Sequence, residues 1–219
     1  MPMDSFTELS ELARRDFEIR TQTRDKILLQ ARQLTRLCSL TIRAIHRSEN
    51  DSAHDLLAQA GQLVTAVKAD LQGFPDLFYA GYTQDAFKEF CEASITCALI
   101  EDRPLPMPDE LGMEVACYMN GLAEVTGELR RRCLDILRQG YSQEAERLLS
   151  SMDEIYAILV TLDYPDQVTN GLRRHTDLVR GIVERTRADL TLSLREQRLQ
   201  QAIQSLSDQM EPRGDHPGL

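Results

Sequence analysis

Two short segments hold the residues best suited to chemistry. In Phe87-Lys88-Glu89-Phe90-Cys91-Glu92-Ala93, Glu89 and Glu92 stand three apart, and on a helix they share a face. Asp85 lies four residues before Glu89 on that face, and the apolar Phe87, Phe90 and Cys91 would bury the pair in part. In Gly121-Leu122-Ala123-Glu124-Val125-Thr126-Gly127-Glu128, Glu124 and Glu128 stand four apart, flanked by Leu122, Val125 and Leu129. Like charges on one helix face repel, so each pair calls for something to offset it. Oxygen-only ligand sets suit Mg²⁺ or Mn²⁺, hard cations that keep several waters and leave room for a phosphate. If the two helices face each other, four carboxylates converge on a site able to direct water against a phosphodiester. Gly121 and Gly127 would then let the backbones approach. The same spacings also fit a solvated acidic face, since helices are rich in glutamate.

Other carboxylate architectures fit less well. Di-iron bundles use Glu-x-x-His, and no glutamate of this chain has histidine three residues later. All-helical nucleoside-triphosphate pyrophosphatases also pair acidic motifs, but the interval from Glu92 to Glu124 is longer than their pattern, which leaves nucleotide hydrolysis a weaker alternative. The four histidines, His46, His54, His175 and His216, are too scattered to propose a metal cluster from spacing. Five cysteines, an odd number without a CxxC pair, predict reduced thiols in a cytoplasmic core.

The elements that must carry these residues are helices. Glycine and proline number only 11 and 8 in 219 residues, tryptophan is absent, and no β-branched alternating run occurs. Proline falls between long stretches, at Pro75, at Pro104, Pro106 and Pro108, and at Pro165. The punctuation predicts helices over about 5–47, 52–71, 76–100, 109–138, 142–162 and 165–206, in an all-α, single-domain bundle of about six to seven long helices. Leu111, Val115, Tyr118, Leu122, Val125, Leu129, Cys133 and Ile136 form one apolar stripe, and Leu148, Met152, Ile155 and Leu159 form another. The domain is expected to end near residue 206, with a disordered tail over 207–219. No apolar run reaches the ~18 residues of a membrane span, and the start lacks the basic and apolar regions of a signal peptide.

Net charge is −10 and the sequence pI about 4.9, which by itself argues against a nucleic-acid partner. The charge is segregated, however. From Arg14 to Arg47 nine basic residues face three acidic ones, a local +6, whereas from Ser48 to Glu128 three basic residues face fifteen acidic ones, a local −12. All but three of the 25 cations are arginine, which binds phosphate in a bidentate manner and stacks on unpaired bases. Solvated helix faces account equally for such a distribution.

Three segments resemble the translin family, and within it translin-associated factor X. Lys88 to Ala93, KEFCEA, is similar to the family's Q-E-Y-V-E-A helix. Tyr118 to Leu129, YMNGLAEVTGEL, is similar to Y-L-x-G-x-x-D-L-T-G-E-L, and Ile45-His46-Arg47 to an L-H-R that closes a long basic helix. Leu172-Arg173-Arg174 matches the basic opening of the last helix more weakly. The resemblance implies an all-helical protein that assembles into closed homo-oligomers, often octamers enclosing a cavity. It also implies a metal-dependent endoribonuclease acting on single-stranded RNA, the metal being the Mg²⁺ or Mn²⁺ that clustered carboxylates suit. Glu89, Glu92 and Glu124 would be the catalytic acids and metal ligands, with Glu128 a further ligand. Arg20, Arg24, Arg32, Arg36, Arg47, Arg173 and Arg174 are candidates for the RNA backbone. A non-catalytic oligomer that binds single-stranded RNA or DNA, as translin does, is the alternative. Glu124 departs from the family, which has aspartate there, and its extra methylene displaces the carboxylate by about 1 Å, enough to weaken activity or change the metal preference.

Overall fold

A computed structural model describes residues 2–210, with side chains over 5–209. Among the described residues there are nine helices and no strand. Six are long: α1 (Pro2–His46), α2 (Asn50–Asp70), α4 (Gly81–Ile100), α6 (Val115–Leu137), α7 (Gln143–Leu159) and α9 (Leu172–Met210). The other three, α3 (Pro75–Phe78), α5 (Pro108–Leu111) and α8 (Asp166–Thr169), are single turns split from the starts of predicted helices.

Each split has a local cause. Between α3 and α4 the chain extends at Ala80 (φ −65°, ψ 142°). The carbonyls this frees are met by the next helix: Thr83 Oγ1 donates to Leu77 O at 2.8 Å and Gln84 Nε2 to Phe78 O at 2.9 Å. After α5 the backbone turns left-handed at Gly112 (φ +63°), a stop that glycine adopts freely. After α8, Asn170 and Gly171 both take positive φ. The apolar stripe predicted from Leu111 is therefore interrupted: Leu111 packs half-buried against the core, Val115 is 65% exposed, and the buried run starts at Tyr118. The stripe through Leu148, Met152, Ile155 and Leu159 is buried throughout. Helix α9 continues to Met210, so the tail predicted from Ser207 starts inside that helix; residues 211–219 lie outside the described residues.

Helices α1, α4 and α6 run side by side in one direction. Arg20 of α1 reaches Asp76 just before α4, while Ile45 near the α1 end shares a small core with Cys97 near the α4 end. Cys117 and Lys88 mark the same register between α4 and α6, through contacts to Gln84 O and Glu124. Helix α2 covers α1 on one flank, and α7 and α9 cover α6 on the other. All five cysteines are free and buried, and burial pushes the Cys38, Cys97 and Cys133 thiols upward, away from the reactive thiolate.

The approach of α4 and α6 depends on Gly121. A Cβ there would lie 2.7 Å from Cys91 Cβ, 2.9 Å from the Lys88 carbonyl oxygen and 3.2 Å from the Glu92 amide nitrogen. Gly127, expected to act likewise, has nothing within 4 Å of such an atom. The two glycines therefore respond oppositely to alanine. Gly121→Ala forces the helices apart and is expected to cost about 2 kcal/mol in denaturant unfolding. Gly127→Ala, free of clash on a helix, is expected to stabilise by about 0.5–1 kcal/mol.

Candidate metal centre

The Gly121 contact sets the Glu89–Glu92 pair of α4 against the acids of α6. Glu89, Glu92 and Glu124 each offer a carboxylate oxygen, and these three atoms lie within 4.8 Å of one another. All three residues are half-buried. Burial raises the Glu92 pKa to about 8, with repulsion from Glu124, Glu89 and Glu128 adding to it. Glu89 is raised as well, by burial first and then by Glu124. Burial and repulsion disfavour the charged forms of Glu89 and Glu92, and with Glu124 beside them the three make an oxygen-only donor set suited to a hard divalent cation.

Glu128 has a different setting. Its Oε2 meets Nε2 of His46 at 2.6 Å, a ring whose side chain is only 3% exposed, and Arg131 lies 3.6 Å away. The hydrogen bond to His46 is the main cause that holds the Glu128 carboxyl below its ordinary range. Glu128 thus flanks the group of three and is engaged by its own partners. Asp85 is exposed and outside that group. Two polar residues of the centre escaped sequence reasoning. Lys88 donates to Glu124 Oε1 at 2.7 Å, and His46 anchors Glu128 from the end of α1. Both lie inside the motifs that carried the resemblance, but no spacing rule connects positions 46 and 128.

The predicted arginines divide into two groups. Arg20 is engaged by Asp16 and Asp76, each at 2.9 Å, Arg24 by Asp25 at 2.9 Å, and Arg173 by Asp163 at 3.4 Å. Arg174 is exposed beside Arg173 on a shallow surface at the start of α9. Arg32, Arg36 and Arg47 are exposed and in no ion pair among the described residues. Arg43, missed in the sequence, joins them, and the spacing 32, 36, 43 puts three on one face of α1, with Arg47 following one residue past its end. At ~1.5 Å of rise per residue this ridge spans roughly 22 Å.

Comparisons with known proteins bear on the fold and the family. No family model matches the chain. Over 182 residues it is 33% identical to protein MJ0175 of Methanocaldococcus jannaschii, covering 82% of this chain and 80% of that one. Its fold is similar to AfC3PO in complex with duplex RNA (TM-score 0.78, 32% identity, 84% of this chain and 95% of that one). A second structure of AfC3PO gives 0.77 at 30% identity, covering 85% and 96%. Apo-NeC3PO shares the fold alone, at 0.76 and 19% identity, with 84% and 96% covered. The chain belongs to the translin family, on the side of translin-associated factor X.

The strained acids make stability depend on pH with a definite sign. Glu92 binds its proton more tightly folded than unfolded, so between the ordinary glutamate range and about 8 the folded state holds more protons. Stability of the metal-free protein is therefore expected to fall as pH rises across that window. Glu92→Gln is expected to flatten the fall and to raise the melting temperature at pH 8–9, the difference vanishing toward pH 4–5. Thermal melts across pH in EDTA measure both.

Proposed function

We propose that this protein is a metal-dependent endoribonuclease that cleaves single-stranded RNA at the carboxylate cluster between α4 and α6. The observation that carries this reading is the convergence of Glu89, Glu92 and Glu124 oxygens within 4.8 Å. Mg²⁺ or Mn²⁺ would be held by these three, with Glu128 beside them. When bound, the ion supplies positive charge against the charge that develops on a phosphodiester under attack. Glu89 and Glu92 present their oxygens from one helix face, and the Gly121 contact fixes their distance from Glu124. His46 keeps the Glu128 carboxylate oriented at the edge of the cluster. Arg32, Arg36, Arg43 and Arg47 draw in the RNA backbone along α1, and His46, between the last two, ties that ridge to the acids.

Homo-oligomeric assembly belongs to the same proposal. Its support is the row of exposed apolar side chains at Phe6, Leu9, Leu12, Phe17 and Ile19 on α1 and at Leu192, Leu199, Ile203 and Leu206 on α9. No helix among the described residues is long and apolar enough to cross a membrane. Five free buried thiols support a reducing, cytoplasmic setting.

Incubation with a labelled single-stranded RNA oligomer and, in parallel, an RNA duplex tests the activity. Cleavage of the single strand with Mg²⁺ or Mn²⁺ is expected, lost in EDTA and reduced roughly a hundredfold or more by Glu89→Gln or Glu92→Gln. Full cleavage by the double variant would overturn the site. RNA binding that survives removal of all four glutamates, with no cleavage in any divalent metal, would mark a non-catalytic nucleic-acid binder instead.

The arginine ridge generates a separate expectation. Replacing Arg32, Arg36, Arg43 and Arg47 by alanine should weaken RNA binding and shrink its dependence on log salt by about 0.7 for each phosphate no longer neutralised. Arg24→Ala, at a paired arginine, should change neither appreciably. Fluorescence anisotropy at several salt concentrations measures both.

A further inference from the structure

The acid cluster already contains a cation from its own helix. Lys88 Nζ donates to Glu124 Oε1 at 2.7 Å, with the lysine side chain only 20% exposed. Asp85 and Glu89 lie near enough to add attraction. Of the four glutamates, Glu128 has His46 and Arg131. Glu124 has Lys88, whose charge also softens the repulsion felt by Glu89 and Glu92. A half-buried ammonium in contact with a carboxylate of a potential dication site occupies electrostatically the place a dication would take.

We propose that Lys88 is a built-in counter-ion of the cluster, one that competes with a divalent cation for Glu124 and must release it before the metal is fully held. This rests on reading Glu89, Glu92 and Glu124 as a metal centre. The released ammonium has a place to go. Lys88 also lines a polar cleft of about 180 Å³ with Gln84, Asp85, Asn120 and His175. Asp85 lies one turn back on α4, so a change of lysine rotamer exchanges one carboxylate for another without moving a helix. The exchange lowers metal affinity and keeps the metal-free cluster from carrying its full charge uncompensated.

Titration of the whole protein with Mn²⁺, followed by the electron-paramagnetic signal of the free ion, tests this without any cleavage assay. Lys88→Gln is expected to bind Mn²⁺ on the order of tenfold more tightly than the unaltered protein, since a unit of repulsion beside the dication is gone. Lys88→Arg keeps the charge and should remain within about twofold of the unaltered protein. Should the glutamine variant lose helical content by circular dichroism, Lys88→Met provides the same comparison with a side chain of similar length. Unchanged or weaker Mn²⁺ binding on removal of the charge would overturn the role of Lys88 and leave the metal centre standing. Equal tightening in the arginine variant would do the same. No Mn²⁺ uptake by any of these proteins would remove the centre itself, and this proposal with it.

Discussion

The approach of α4 to α6 at Gly121 is the constraint from which the rest of the site follows. A side chain at 121 would collide with backbone atoms of Lys88 and Glu92, so the absence of one brings the two helices to a distance that larger residues forbid. That proximity lets acids from separate helices share a few ångströms of space. It also buries Glu92 beside other acids, so that burial first and their repulsion second raise its pKa to about 8. Packing and chemistry are thus coupled at one position: the contact that builds the core between α4 and α6 also concentrates the negative charge.

The protein manages that charge asymmetrically. One end of the cluster is tied to α1, where the buried His46 ring meets Glu128, and Arg132 of α6 donates to the His46 carbonyl oxygen at 3.2 Å. The middle is met by Lys88 of α4 itself. Glu89 and Glu92 have no cation of their own in the ion pairs of the described residues, and they carry the raised pKa values. The acids of α6 are thus partly neutralised by neighbouring cations, while those of α4 keep the unfavourable burial and repulsion.

The net charge of −10 is a sum over unlike parts. In three dimensions the positive excess of α1 includes a ridge, Arg32, Arg36, Arg43 and Arg47, in no ion pair among the described residues, while Arg20 and Arg24 nearer its start are engaged by aspartates. Linear density of arginine could not separate the two groups, because pairing depends on which acids the neighbouring elements bring alongside. Asp76, which engages Arg20, lies 56 residues away in sequence.

Much of the architecture was legible in the chain. Scarce glycine, proline at the breaks and stripes such as Leu148, Met152, Ile155 and Leu159 specify helices and their buried faces, since those signals are local and periodic. Glu89 and Glu92 were identifiable for the same reason, being neighbours on one helix. The breaks after α3, α5 and α8 were harder to read, because short left-handed or extended links leave the apolar pattern almost intact on both sides. What only the tertiary structure decided are the partnerships between helices: Glu124 with Glu89, Lys88 with Glu124, and His46 with Glu128. Residue type and helical period set which face a side chain occupies. The packing of one helix on another, here through Gly121, sets which face it meets, and no periodicity along the chain encodes that choice.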